Sequence, residues 1–135
     1  MFTGNLCAPS KVSMSKCILI ADDNPGVRLL IRTFLRIQTK YDVCGEAVDG
    51  VDAIEQSKKL KPDLVLLDLL MPRMNGAEAA SVIKSAMPHV PIVLFSIFGD
   101  QVGKSLASAV GIDAVISKPD GMTQLIQCVE KLLAA

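Results

Sequence analysis

Five short runs rich in Val, Ile and Leu alternate along this chain with amphipathic segments, and that alternation limits the possible folds more than any single motif does. The runs are Cys17–Ala21, Asp42–Ala47, Leu64–Asp68, Ile92–Ser96 and Ala114–Ser117. Strands this apolar must be covered on both faces, and parallel strands joined by helical crossovers achieve that. The pattern predicts one α/β domain of five strand and helix pairs, a doubly wound parallel sheet. Between the first two runs, Pro25 stands where a first helical turn tolerates proline. Val27, Leu30, Ile31, Phe34 and Leu35 then repeat at helical spacing and are expected on the sheet. Arg28, Arg32 and Arg36 fall on another face, expected to be solvated. Met122, Leu125, Ile126, Val129, Leu132 and Leu133 make the last helix amphipathic.

A chain of 135 residues, half of them apolar, suits one core that buries roughly two thirds of the unfolded surface. Formal net charge is zero and no Lys/Arg run occurs, so neither nucleic acid nor an anionic membrane is an expected partner. Cys7, Cys17, Cys44 and Cys128 lack the close spacing of a zinc or redox motif and read as reduced thiols. No apolar run approaches the ~20 residues of a membrane helix, and the amino terminus lacks the apolar core of a signal peptide. A soluble cytoplasmic protein is expected. Residues 1–15, MFTGNLCAPSKVSMS, are aperiodic and read as a flexible tail before a domain over 16–135; Met14 is a second candidate start.

In an open parallel sheet, ligands collect beyond the carboxyl ends of the strands. Here those ends carry Asp22 and Asp23, then Asp68, then Ser96, then Ser117, Lys118 and Pro119. Singly, most have ordinary readings: an Asp pair before a helix caps it, a strand-end Ser bonds backbone, and a Lys before Pro is surface. Asp68 is different, because an ionised carboxylate after Leu64-Val65-Leu66-Leu67 must find partners or neutralise. Three carboxylates together would repel by roughly 4 kcal/mol per pair at 4 Å and an effective dielectric near 20. A hard divalent cation such as Mg²⁺ offsets that and keeps coordination sites for a phosphoryl oxygen. With Lys118 as a second positive charge and Ser96 as a donor, the set meets the needs of phosphoryl transfer, and Asp68 is its natural nucleophile.

The stretches ILIADDN, LVLLDLLMPRMNG, VLFS and ISKPD together resemble the receiver domain of bacterial two-component response regulators, from Lys16 to Leu133. The resemblance implies a flavodoxin-like (βα)5 fold with strand order 2-1-3-4-5 and five helices. It implies that Asp68 is phosphorylated by a sensor histidine kinase or a phosphotransfer protein. Asp23 would ligate Mg²⁺ directly and Asp22 chiefly through water, with Asp68 and the backbone carbonyl of Leu70 completing the protein ligands. Lys118 would contact the phosphoryl group, Ser96 would be the switch hydroxyl, and Pro119 matches the proline that follows the family's lysine.

Departures from the family pattern carry further expectations. Leu70 and Phe98 occupy positions that modulate dephosphorylation, and both are apolar, which predicts a long-lived phosphoryl state. Ile97, where receivers often carry a small residue, is expected to restrict donor access. Val115 replaces the Tyr or Phe whose rotation reports phosphorylation, so the signal passes without a turning ring or the protein is mainly a phosphate carrier. Phosphatases of the haloacid dehalogenase class place a second Asp two residues after the nucleophile, where this chain has Leu70, so an enzyme that turns over substrate is not expected. Two alternatives stand beside a stand-alone receiver. One is the amino-terminal receiver of a longer DNA-binding regulator, which VCGEAVDGVDAIEQSKKLKPDLVLLDLLMPRMNG also resembles; the other is a docking-only module. Receivers often form homodimers through their fourth and fifth helices, but Leu106, Ala109 and Val110 read as core. His89, between Pro88 and Pro91, reads as a surface residue.

Overall fold

The computed structural model describes residues 15–96, 111–117 and 121–134. Five strands, β1 (Cys17–Ala21), β2 (Asp42–Ala47), β3 (Leu64–Leu67), β4 (Ile92–Ser96) and β5 (Ala114–Ser117), form one parallel sheet in the order β2-β1-β3-β4-β5. This is the flavodoxin-like order expected. Four helices lie among the described residues: α1 (Pro25–Gln38), α2 (Gly50–Leu60), α3 (Gly76–Ala86) and α4 (Met122–Leu133). The expected helix between β4 and β5, with Leu106, Ala109 and Val110, lies outside the described residues, as do the tail residues 1–14 and Cys7.

Side chains alternate across the strands, so each strand feeds two cores. Leu19, Val65, Leu67, Ile92 and Leu94 pack with Ala79, Ala80 and Ile83 of α3 and Ala53 of α2 on one face. Ile18, Ile20, Leu64, Leu66 and Val93 pack with Ile31 and Leu35 of α1 and Leu125 and Val129 of α4 on the other. The last helix follows its expected stripe throughout: Leu125, Ile126, Val129 and Leu133 are buried, and Met122 and Leu132 pack partly against them. On α1 the expectation holds for Val27, Ile31, Phe34 and Leu35, but Leu30 faces outward, 49% exposed. Its angular position falls at the edge of the apolar arc, where the stripe has already left the sheet.

Of the arginine stripe, Arg32 and Arg36 are exposed as expected, whereas Arg28 is half-buried. Arg28 Nε and Arg32 Nη2 reach the two carboxylate oxygens of Glu46 on β2, at 2.8 and 2.7 Å. A carboxylate on the neighbouring edge strand is a long-range partner that helical spacing cannot reveal. His89 is exposed in the turn after α3, as expected. Cys17, Cys44 and Cys128 are free thiols. Burial and the adjacent Cys17 thiol push Cys44 up to about 12. Among the described residues no helix is long and apolar enough to cross a membrane.

One core position is chemically mismatched. Ser57 of α2 is fully buried and its hydroxyl makes no hydrogen bond. Burying a hydroxyl without a partner costs about 1–3 kcal/mol, and alanine is also the better helix former. Ser57→Ala should therefore raise the urea midpoint, by about 1 kcal/mol of stability, with unchanged denaturant slope. A lowered midpoint would show that the hydroxyl is satisfied in solution.

Candidate functional site

The sheet itself assembles the acids. Ala21 and Leu67 are register partners on β1 and β3, so Asp22 and Asp68, the next residue on each, emerge side by side. The ladder runs on past the strands: Asp68 N–H donates to the Ala21 carbonyl at 2.9 Å and Asp22 N–H to the Ala47 carbonyl at 3.0 Å. β3 thus stops one residue short of the expected Asp68, whose backbone is still held by β1. Asp22 and Asp68 are buried and Asp23 is exposed, and one carboxylate oxygen from each lies within 4.8 Å of the others.

Capping fixes the neighbours. Asn24, not an aspartate, caps α1 by accepting from the Gly26 and Val27 N–H groups at 2.8 and 3.2 Å. Asn24 N–H in turn donates to Asp22 Oδ1 at 2.9 Å, which orients that carboxylate. Arg28 Nη1 donates to the Asp22 backbone carbonyl at 2.7 Å while its Nε holds Glu46. One guanidinium therefore braces the acidic corner against β2.

Ser96 ends β4, is fully buried, and pairs with Ser117 of β5. Val115 is half-buried opposite Leu94 and packs on the core shared with α2 and α3. Leu70, two residues past Asp68, leaves its side chain 52% exposed. Lys118, Pro119, Ile97 and Phe98 lie outside the described residues.

After Asp68 the chain loops over to α3. Asn75 and Gly76 start that helix. Asn75 Oδ1 accepts from Glu78 N–H at 2.9 Å and Glu78 Oε1 accepts from Asn75 N–H at 3.2 Å, a reciprocal capping box. Gly76 N–H donates to the Leu69 carbonyl at 2.8 Å. A Cβ at Gly76 would stand 2.2 Å from the Asp68 carbonyl oxygen, so only glycine lets the helix end approach this closely.

Sequence reasoning missed Asp49. It is 1% exposed, caps α2 by accepting from Asp52 N–H at 2.7 Å, and forms an ion pair with Arg73 in the loop after Asp68. The Asp52 N–H holds its carboxyl below the usual carboxylate range against the opposing effect of burial, and Arg73 lowers it further. An Asp before Gly50, with Asp52 three residues on, is a legible cap signal; its tie to Arg73 is not.

An all-oxygen set of three clustered carboxylates fits a hard cation such as Mg²⁺, which takes one or two carboxylates and fills its remaining positions with water and phosphate oxygens.

The family model for the response regulator receiver domain matches residues 18–130. The chain is similar to the response regulator protein VraR of Staphylococcus saprophyticus, 36% identical over 116 residues, covering 84% of this chain and 54% of VraR. It thus spans about half the length of that relative. It is also similar to the chemotaxis protein CheY of Thermotoga maritima, 34% identical over 119 residues, covering 88% of this chain and 98% of CheY. Among solved structures, a LuxR-family two-component response regulator from Aurantimonas sp. SI85-9A1 superposes with a TM-score of 0.83 at 28% identity, covering 89% of this chain and 86% of that one. The response regulator domain of Thermotoga maritima CheB superposes with a TM-score of 0.79 at 27% identity, over 90% and 96% of the two chains.

Proposed function

This chain belongs to the response regulator receiver domain family, and from that premise we propose that Asp68 is its phosphoacceptor and that Asp22, Asp23 and the Leu70 carbonyl hold Mg²⁺ beside it. The observation that carries this reading is the convergence of Asp22, Asp23 and Asp68 at the carboxyl ends of β1 and β3. When bound, Mg²⁺ neutralises these acids and the charge on the transferring phosphoryl group. An Asp68 carboxylate oxygen attacks phosphorus, and the phosphorus to nitrogen bond of a donor phosphohistidine breaks. The imidazole leaves with the bonding electrons, and the product is an aspartyl phosphate. Lys118 balances the added charge, and Ser96 donates to a phosphoryl oxygen and carries the change outward.

The donor is a sensor histidine kinase or phosphotransfer protein, and the reaction takes place in the cytoplasm. The protein assists its own phosphorylation and dephosphorylation and turns over no other substrate. Leu70 and Phe98 keep water from the phosphoryl group, Ile97 narrows donor access, and Val115 replaces a ring-flip signal. Similarity to nearly all of CheY and to half of VraR supports two outputs: a separate partner protein, or a domain joined to this one in a longer regulator.

Incubation with Mg²⁺ and acetyl phosphate should give one phosphoryl adduct by intact mass, absent when Mg²⁺ is chelated and persisting after the donor is removed. If neither acetyl phosphate nor a histidine kinase labels protein that still binds Mg²⁺, the phosphoacceptor reading is wrong; rapid loss would reject the shielding by Leu70 and Phe98.

A further inference from the structure

We propose that Asp49 and Arg73 form a clasp that positions the loop after Asp68 for metal binding, an inference that rests on the Mg²⁺ reading of the acidic site. Both residues lie outside that site's own set, and the contact joins positions 24 apart in sequence.

The loop needs a clasp because its backbone is strained at one point. Arg73 has φ of 66°, left-handed territory that a side chain disfavours, and Met74 N–H donates to the Pro72 carbonyl at 2.7 Å across it. A hydrogen bond spanning two residues about a positive φ is a γ-turn of the rarer, strained kind. Such a conformation persists only where its surroundings over-determine it. At the loop's ends, Asp68 is laddered to β1 and Gly76 to the Leu69 carbonyl. Between them, the contacts run to the amino end of α2. Gly50 N–H donates to the Met74 carbonyl at 3.0 Å, and Arg73 Nη2 donates to Asp49 Oδ2.

Asp49 is built to hold that guanidinium. Its other oxygen is committed to the Asp52 N–H, and its burial leaves the carboxylate little water to compete with Arg73. Arg73 is 70% exposed, so the grip comes from the fixed acid and not from a buried cation. Leu70, whose carbonyl is the proposed ligand, lies within the same loop. A slack loop would leave that carbonyl to find the metal by chance. Asp49 and Arg73 are therefore positioning residues, not ligands.

Charge and geometry predict opposite signs for one variant. Removing the cation of Arg73 near a divalent site should tighten Mg²⁺ binding if only charge matters. Loss of the clasp should weaken it, by about tenfold, the lower end of what outer-shell partners contribute to metal affinity. Calorimetric Mg²⁺ titration of the whole chain is the readout, with thermal melting of the metal-free protein beside it. Arg73→Ala is expected to bind Mg²⁺ about tenfold more weakly. Arg73→Gly, equally uncharged, should bind like the parent, because glycine adopts the positive φ without help. Asp49→Asn, which keeps an oxygen for the Asp52 N–H, should resemble Arg73→Ala.

Equal or tighter binding by Arg73→Ala overturns the clasp, as does a glycine variant as weak as the alanine one. Asp23→Asn separates the two claims. If it loses Mg²⁺ binding while the Arg73 and Asp49 variants match the parent, the metal site stands and the clasp falls. If the parent binds no Mg²⁺, or Asp23→Asn changes nothing, the metal reading fails and takes the clasp's role with it.

Discussion

Asp68→Asn should yield no phosphoryl adduct under conditions that label the parent fully. Asparagine keeps the size and planarity of the side chain, so the ladder bond from residue 68 N–H to the Ala21 carbonyl at 2.9 Å is undisturbed. What disappears is the anionic oxygen: a neutral amide is a far weaker nucleophile, and no second group in the cluster is equivalently placed. Asp22 has an oxygen engaged by the Asn24 N–H, and Asp23 is exposed to solvent. A second readout follows from the same change. Mg²⁺ should raise the melting temperature of the parent more than that of the variant, since ligand stabilisation falls by about 1.4 kcal/mol for each tenfold loss of affinity at saturating metal. An adduct on the variant at the parent's rate would move the phosphoacceptor to another side chain, and peptide mapping would locate it.

The parts of this site that the sequence discloses are those written in local pattern. The unbroken apolar runs Ile18-Leu19-Ile20 and Leu64-Val65-Leu66-Leu67 give strands with two buried faces, and the residue that follows each strand then falls at the sheet's carboxyl edge. Asp22, Asp23 and Asp68 are therefore legible in the sequence as residues of one sheet edge. The strand order needed the family resemblance, because apolar runs do not say which neighbour they choose.

Pairings that span the fold were illegible for a physical reason. Arg28 and Glu46 are 18 residues apart, and Arg73 and Asp49 are 24 apart; neither contact leaves a mark on helical or strand periodicity. Leu30 misled for the opposite reason: it fits the stripe, yet it lies at the edge of the apolar arc and stays exposed. The close approach at Gly76 was illegible too, since a missing side chain shows its purpose only against what fills the space. Here that is the backbone of Asp68 and Leu69.

Gly76→Ala therefore sets two principles against each other. Gly76 is the first residue of α3, its φ is not positive, and alanine is favoured over glycine in a helix by roughly 0.5–1 kcal/mol. Local propensity alone predicts a more stable protein. The added Cβ, however, would meet the Asp68 carbonyl oxygen at 2.2 Å, the Asp68 carbonyl carbon at 2.9 Å and Leu69 Cα at 3.0 Å. All three are backbone atoms, so no side chain can swing aside. Relief requires α3 to retreat, which breaks the 2.8 Å bond from residue 76 N–H to the Leu69 carbonyl and disturbs the Asn75 cap. Overpacking of this kind costs about 1–3 kcal/mol, and a lost buried hydrogen bond adds roughly 1–3 more. The net expectation is destabilisation by about 3 kcal/mol, read as a lower urea midpoint. The alternative relief, displacement of Asp68, has a functional signature, because misplacing a reacting group by about 1 Å can cost on the order of a hundredfold in rate. Adduct formation should then slow by at least tenfold at a temperature where the variant is still folded. A variant that melts higher than the parent and labels at the parent's rate would mean that α3 is free to stand off from Asp68, and that the glycine serves the helix start alone.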